Sequence, residues 1–74
     1  MTTFEIKPVK NYQLLDTGIK LSTDKIYTAI VATNQPDYKE LSKVFVIIGN
    51  DSMLLQWDEY TPINQIDFEN AFSE

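Results

Sequence analysis

The chain of 74 residues contains no cysteine and no histidine, and all six of its basic residues are lysine, with no arginine. Without cysteine, neither a disulfide nor a thiolate metal site can form. Without histidine the commonest general base is missing. Phosphate binding needs clustered lysine and arginine, so nucleic acid is not an expected partner. No apolar run approaches the roughly 18–20 residues that cross a bilayer, and "MTTFEIKPVK" lacks the basic start and apolar stretch of a secretory signal. A membrane is therefore not an expected partner, and the cytoplasm is the expected location. Positive charge is also missing from the second half. Every lysine lies at or before Lys43, whereas Asp51, Asp58, Glu59, Asp67, Glu69 and Glu74 follow Val44. The net charge of −5 is read either as solubility or as attraction for a basic protein partner.

With two glycines and three prolines, no linker, repeat or low-complexity tract interrupts the chain. It reads as a single domain, 1–74, near the small end of what folds without help. Strand patterns dominate it. In "TTFEIKP", Phe4 and Ile6 alternate with polar neighbours before Pro8, which cannot donate a ladder hydrogen bond; this suggests a short edge strand. "NYQLLDTG" is extended and closes in a turn at Asp16-Thr17-Gly18, and Ile19 and Leu21 anchor the following loop. "KIYTAIVAT" is β-branched and aromatic, and predicts a strand over 25–33. Asn34 and Pro36 then mark a turn.

"KVFVIIGNDSMLLQW" reads as a hairpin of strands 43–49 and 53–57 with Asn50 and Asp51 at the turn. Its alternation puts Val44, Val46, Ile48, Met53, Leu55 and Trp57 on one face, assigned to the core. Phe45, Ile47 and Leu54 fall on the other, an unusual apolar patch that needs a cover. The tail "IDFENAFSE" spaces Phe68 and Phe72 as one face of a short helix and is the favoured cover. Phe4 and Ile6 of the first strand, a second copy of the chain or another protein are the alternatives, and a monomer is the expectation ahead of a homodimer.

Short strands with little helix predict a mainly β domain: a small five-stranded barrel over about 3–66, with a short helical or flexible tail over 67–74. The stretch "LSTDKIYTAIVAT", followed by a loop, an apolar hairpin and the close "DEY", resembles the small Src-homology-3-like barrels of bacterial and phage genomes. In that resemblance, which covers about Tyr12 to Ile63, Leu21 precedes a turn and Lys25 and Tyr27 open the central strand. It implies the barrel and a protein-binding role. Asp24 stands where such proteins usually carry glycine, and the acidic–tyrosine signature of peptide-binding members does not recur, so proline-peptide binding is not carried over.

Catalytic constellations are lacking, and the chain is expected not to be an enzyme. Ser22 or Ser42 near Lys25 or Lys43 is ordinary loop composition, and Asp58 and Glu59, as neighbours in an extended strand, would point to opposite faces. No cofactor or metal is expected. The expected function is a non-enzymatic protein-interaction module. An acidic–aromatic loop surface of Asp37, Tyr38, Asp58, Glu59 and Tyr60 is its candidate partner-binding site. A structural subunit that self-associates through Phe45, Ile47 and Leu54 is the alternative.

Overall fold

A computed structural model describes residues 2–33 and 42–73. Among these described residues seven strands and one helix follow in order: β1 (Phe4–Pro8), β2 (Tyr12–Gln13), β3 (Lys20–Leu21), β4 (Tyr27–Thr33), β5 (Lys43–Ile48), β6 (Asp51–Gln56), β7 (Tyr60–Pro62) and α1 (Gln65–Phe72). Five of them form one antiparallel sheet in the order β6-β5-β4-β1-β7, while β2 and β3 pair only with each other. The protein is thus mainly β, as its sequence predicts, but the sheets are open and no closed barrel forms. Between Pro8 and Tyr27 the chain makes only the two-residue strands of its separate ribbon, so no described strand joins the β6 edge to the β7 edge.

The first strand is not at an edge. It lies between β4 and β7, yet its pairing with β4 runs from Phe4 to Ile6 and its pairing with β7 from Ile6 to Pro8. Proline is tolerated because the β4 side is already unpaired where Pro8 sits. In the β5–β6 hairpin, Ile48 pairs with Asp51 and Val46 with Met53, which makes Gly49 and Asn50 the turn rather than Asn50 and Asp51. Of these two turn residues, Gly49 has the positive φ, 60°. A two-residue hairpin loop with that conformation at its first position favours glycine there. The register therefore differs by two residues from the expected one, and a shift of two keeps every side chain on its expected face.

Those faces have different fates. Phe4, Ile6, Ala29, Val44, Val46, Met53 and Leu55 are buried in one core cluster with Ile19 and Leu21 of the β2–β3 ribbon and Ala71 of α1. Ribbon and helix both cover this inner face. Trp57, expected among the core residues, is 41% exposed, because β6 ends at Gln56 and the chain turns at 57–58. Helix α1 begins where Asn64 caps it: the Asn64 side chain accepts from the Asp67 backbone N–H at 3.1 Å. A cap of this kind stabilises a helix by about 1 kcal/mol, and the Asp67 carboxylate suits the positive end of the helix dipole. The Phe68 and Phe72 rings lie 5.4 and 6.0 Å from that of Phe4, and Phe68 is 6.1 Å from Tyr60.

Tyr60 gives this packing a pH signature. Burial pushes its hydroxyl pKa up to about 12 from 10.0. Between those values the unfolded chain ionises at this position while the folded chain does not. The contribution of Tyr60 to stability is therefore complete below pH 10, falls as pH rises toward 12, and is lost above it, by on the order of 2 kcal/mol. Thermal melts from pH 9 to 12 should show a steeper decline in the native protein than in Tyr60→Phe, which has no ionising group at this position. Parallel declines would remove Tyr60 as the cause.

Candidate functional site

Two surfaces collect the candidate residues. The first is built where the 56–59 turn meets the segment after β1. The Gln56 backbone N–H donates to the Glu59 carboxylate at 2.8 Å, the Glu59 N–H donates to the Gln56 carbonyl at 2.9 Å, and the Val9 N–H donates to the Glu59 carbonyl at 3.1 Å. Asp58 and Glu59 thus sit in a braced turn, not in an extended strand, and both line one cleft. Val9, Lys10, Tyr12 and Gln56 complete a hollow of about 380 Å³. The Lys10 ammonium stands 5.8 Å from the centre of the Tyr12 ring, within reach of a cation–π attraction. The Tyr12 hydroxyl is shielded from water and has no hydrogen-bond partner among the described residues. Burial holds its pKa above the ordinary value, and the negative charges of Glu59 and Asp58 add to the shift.

Tyr12 also walls a second hollow of about 500 Å³ with Lys20, Leu21, Ser22, Lys25 and Tyr27. There the Ser22 backbone N–H donates to the Tyr27 hydroxyl at 2.8 Å, the Thr23 N–H donates to the Asn11 side-chain oxygen at 3.0 Å, and the Ser22 hydroxyl donates to Asp24. That last bond, foremost, lowers the Asp24 pKa. The acidic and the lysine-bearing hollows therefore flank one tyrosine.

Of the expected acidic–aromatic set, Asp58 and Glu59 come together. Tyr60 does not join them: it is 5% exposed and faces the core, where it packs on Phe68. The cause is pairing, since Tyr60 lies opposite buried Pro8 and so takes the inward side of β7. Asp37 and Tyr38 lie outside the described residues. The aromatic residue beside the acids is instead Tyr12. The sequence signal for it was a tyrosine two residues after a lysine at the start of an extended stretch, too common a pattern to single out.

The second surface is the outer face of β4, β5 and β6. Ile30 pairs with Phe45 and Phe45 with Leu54, which makes an apolar row across three strands, with Ile47 beside Phe45 on β5. Phe45 and Ile47 are each 37% exposed and Leu54 46%. The tail does not cover them. It docks on the inner face, against Phe4.

Among the described residues no three acidic side chains stand together as metal ligands would, and no helix is long and apolar enough to cross a membrane. Neither a protein-family model, nor a curated protein, nor a solved structure matches the chain.

Proposed function

We propose that the chain is a non-enzymatic protein-interaction domain that receives a basic segment of a protein partner in the Tyr12–Asp58–Glu59 cleft. The observation that carries this reading is the placement of Lys10: an ammonium of the chain itself already stands over the Tyr12 ring, in a cleft that Asp58 and Glu59 also line. A lysine or arginine of a partner would exchange with Lys10, gaining the ring face and the acids. A cytoplasmic accessory protein of bacterial or phage type fits this role. That part of the proposal draws on the Src-homology-3-like resemblance around Leu21, Lys25 and Tyr27 and on the lack of cysteine.

The probe is a short oligolysine peptide, titrated by calorimetry at low and physiological salt. Binding should weaken as salt rises, because exposed charges are screened. Tyr12→Ala should weaken it by about 2 kcal/mol, as hot-spot aromatics do, and Asp58→Asn with Glu59→Gln should remove most of the salt dependence. Affinity that is unchanged in Tyr12→Ala, or flat with salt, would sink the reading.

A further inference from the structure

We infer that the segment received at Tyr12 is one of mixed charge, which sets a basic residue in the cleft of Asp58 and Glu59 and, two residues along, a carboxylate between Lys20 and Lys25. The inference rests on the Tyr12 cleft being the binding site for a basic segment, and it adds a second contact to that site. Three observations carry it.

The first is the sign of the two hollows. The cleft beside the 56–59 turn is lined by two carboxylates, Asp58 and Glu59, against one ammonium, Lys10. The hollow that shares Tyr12 with it is lined by two ammoniums, Lys20 and Lys25, against one carboxylate, Asp24. The Ser22 hydroxyl foremost lowers the Asp24 pKa, and the charges of Lys25 and Lys7 add to the shift. Three of the six lysines of an otherwise acidic chain therefore gather about this hollow. A segment with only basic residues, laid across both hollows, would bring its own ammoniums against Lys20 and Lys25, and like charges so placed oppose binding. A segment with one residue of each sign suits both.

The second is the donor set, which selects the anion. Phosphate is held best by arginine forks or by a run of free backbone N–H groups. The chain has no arginine. The Ser22 and Thr23 N–H groups are already engaged, by the Tyr27 hydroxyl at 2.8 Å and the Asn11 side-chain oxygen at 3.0 Å. What remains is the pair of lysine ammoniums, which act as point charges. With Asp24 in the same lining, the hollow has one positive charge in excess. A carboxylate neutralises that charge, whereas a doubly charged phosphate exceeds it.

The third is placement. Lys20 is held on β3 opposite Gln13, and Lys25 closes a turn in which its backbone N–H donates to the Ser22 carbonyl at 3.3 Å. Only the lysine side chains remain to be ordered when a carboxylate arrives, which keeps the entropic cost of binding small. Tyr12 is a wall of both hollows, so the two charges of the segment must lie close together. Residues two apart in an extended chain project to the same side about 6.6 Å from one another, whereas adjacent residues point to opposite sides. A basic and an acidic residue separated by one other is the spacing that follows.

The experiment compares two blocked peptides of equal length, one repeating Lys-Ser-Glu-Ser and the other Lys-Ser-Gln-Ser, titrated into the full chain by calorimetry at physiological salt. The repeats present the two charges in both orders. The glutamate peptide should bind about threefold tighter or more, the gain for a carboxylate between two exposed ammoniums, although the net charge of the chain favours the more positive glutamine peptide. In Lys20→Gln with Lys25→Gln the preference should vanish or invert. Both lysines are exposed, so the melting temperature should hold. Lys25→Gln alone, outside the strands, should lose part of the preference and serves if the double variant folds poorly. Tyr12→Ala separates this inference from the reading on which it rests. If the native chain binds both peptides equally and Tyr12→Ala weakens both, the inference falls and the basic-segment cleft stands. If Tyr12→Ala weakens neither, the cleft falls and the inference with it. A glutamate preference that survives the loss of both lysines, or a chain that binds neither peptide, would also overturn the inference.

Discussion

Phe4→Ala should lower the free energy of unfolding by about 3–5 kcal/mol, the range for truncating a buried phenylalanine. The ring is 3% exposed and is the point at which the sheet grips the helix. It meets Phe68 edge-on at 5.4 Å and Phe72 at 6.0 Å, and those two helix rings are 4.7 Å apart. Aromatic pairs contribute about 0.5–1.5 kcal/mol each beyond the area they bury, so the loss should fall in the upper part of the range. A domain of this length has roughly 4–11 kcal/mol of total stability at the usual amount per residue, which leaves the variant close to unfolding at room temperature. Urea denaturation of Phe4→Ala beside Phe4→Leu separates the causes. Leucine keeps much of the volume and should lose less than half as much. If alanine here costs under about 1 kcal/mol, the Phe4 ring does not hold the helix to the sheet.

The contrast between what alternation reveals and what it hides runs through the whole molecule. The two faces of the β5–β6 hairpin could be read from Val44 to Leu55, because a pleated strand sorts its side chains with a period of two. The turn was misplaced by one residue, because the choice between Gly49-Asn50 and Asn50-Asp51 depends on which residue takes a positive φ, and both pairs contain suitable residues. Strand β1 was recognisable from Phe4 and Ile6, but its neighbours were not: Pro8 argues for an unpaired side and does not say that only one end of the strand lacks it. The spacing of Phe68 and Phe72 announced the helix and was silent about which face of the sheet it would reach. That was decided by connectivity. β7 lies beside β1, and the short link from Pro62 to Asn64 sets α1 down next to Phe4. The aromatic of the acidic cleft was hidden for the same reason, since Tyr12 reaches Asp58 and Glu59 only through the pairing of chain segments far apart in sequence. The open sheet followed from a count of paired strands that no local pattern contains.

A comparably large loss should come from removing residues 65–74, and its consequences distinguish the two faces of the sheet. The deletion takes Phe68, Ala71 and Phe72 away from Phe4 and Tyr60. Full burial of a phenylalanine contributes about 1.5–3 kcal/mol; Phe68 and Phe72 are each half-buried and Ala71 is buried, so with the lost ring contacts to Phe4 the loss should be about 3 kcal/mol, a large share of the total. Phe68→Ala in the intact chain should reproduce a substantial part of it. The truncated protein should also associate, but through newly exposed inner-face residues around Phe4 and not through Phe45, Ile47 and Leu54, whose exposure the helix never controlled. Leu54→Lys provides the discriminating cross. In the truncated chain it should leave association largely intact, because the sticky surface is now on the other side of the sheet. Light scattering on the four proteins, with and without the tail and with leucine or lysine at position 54, gives the answer directly. If Leu54→Lys instead abolishes association of the truncated chain, the inner face around Phe4 does not associate once α1 is removed.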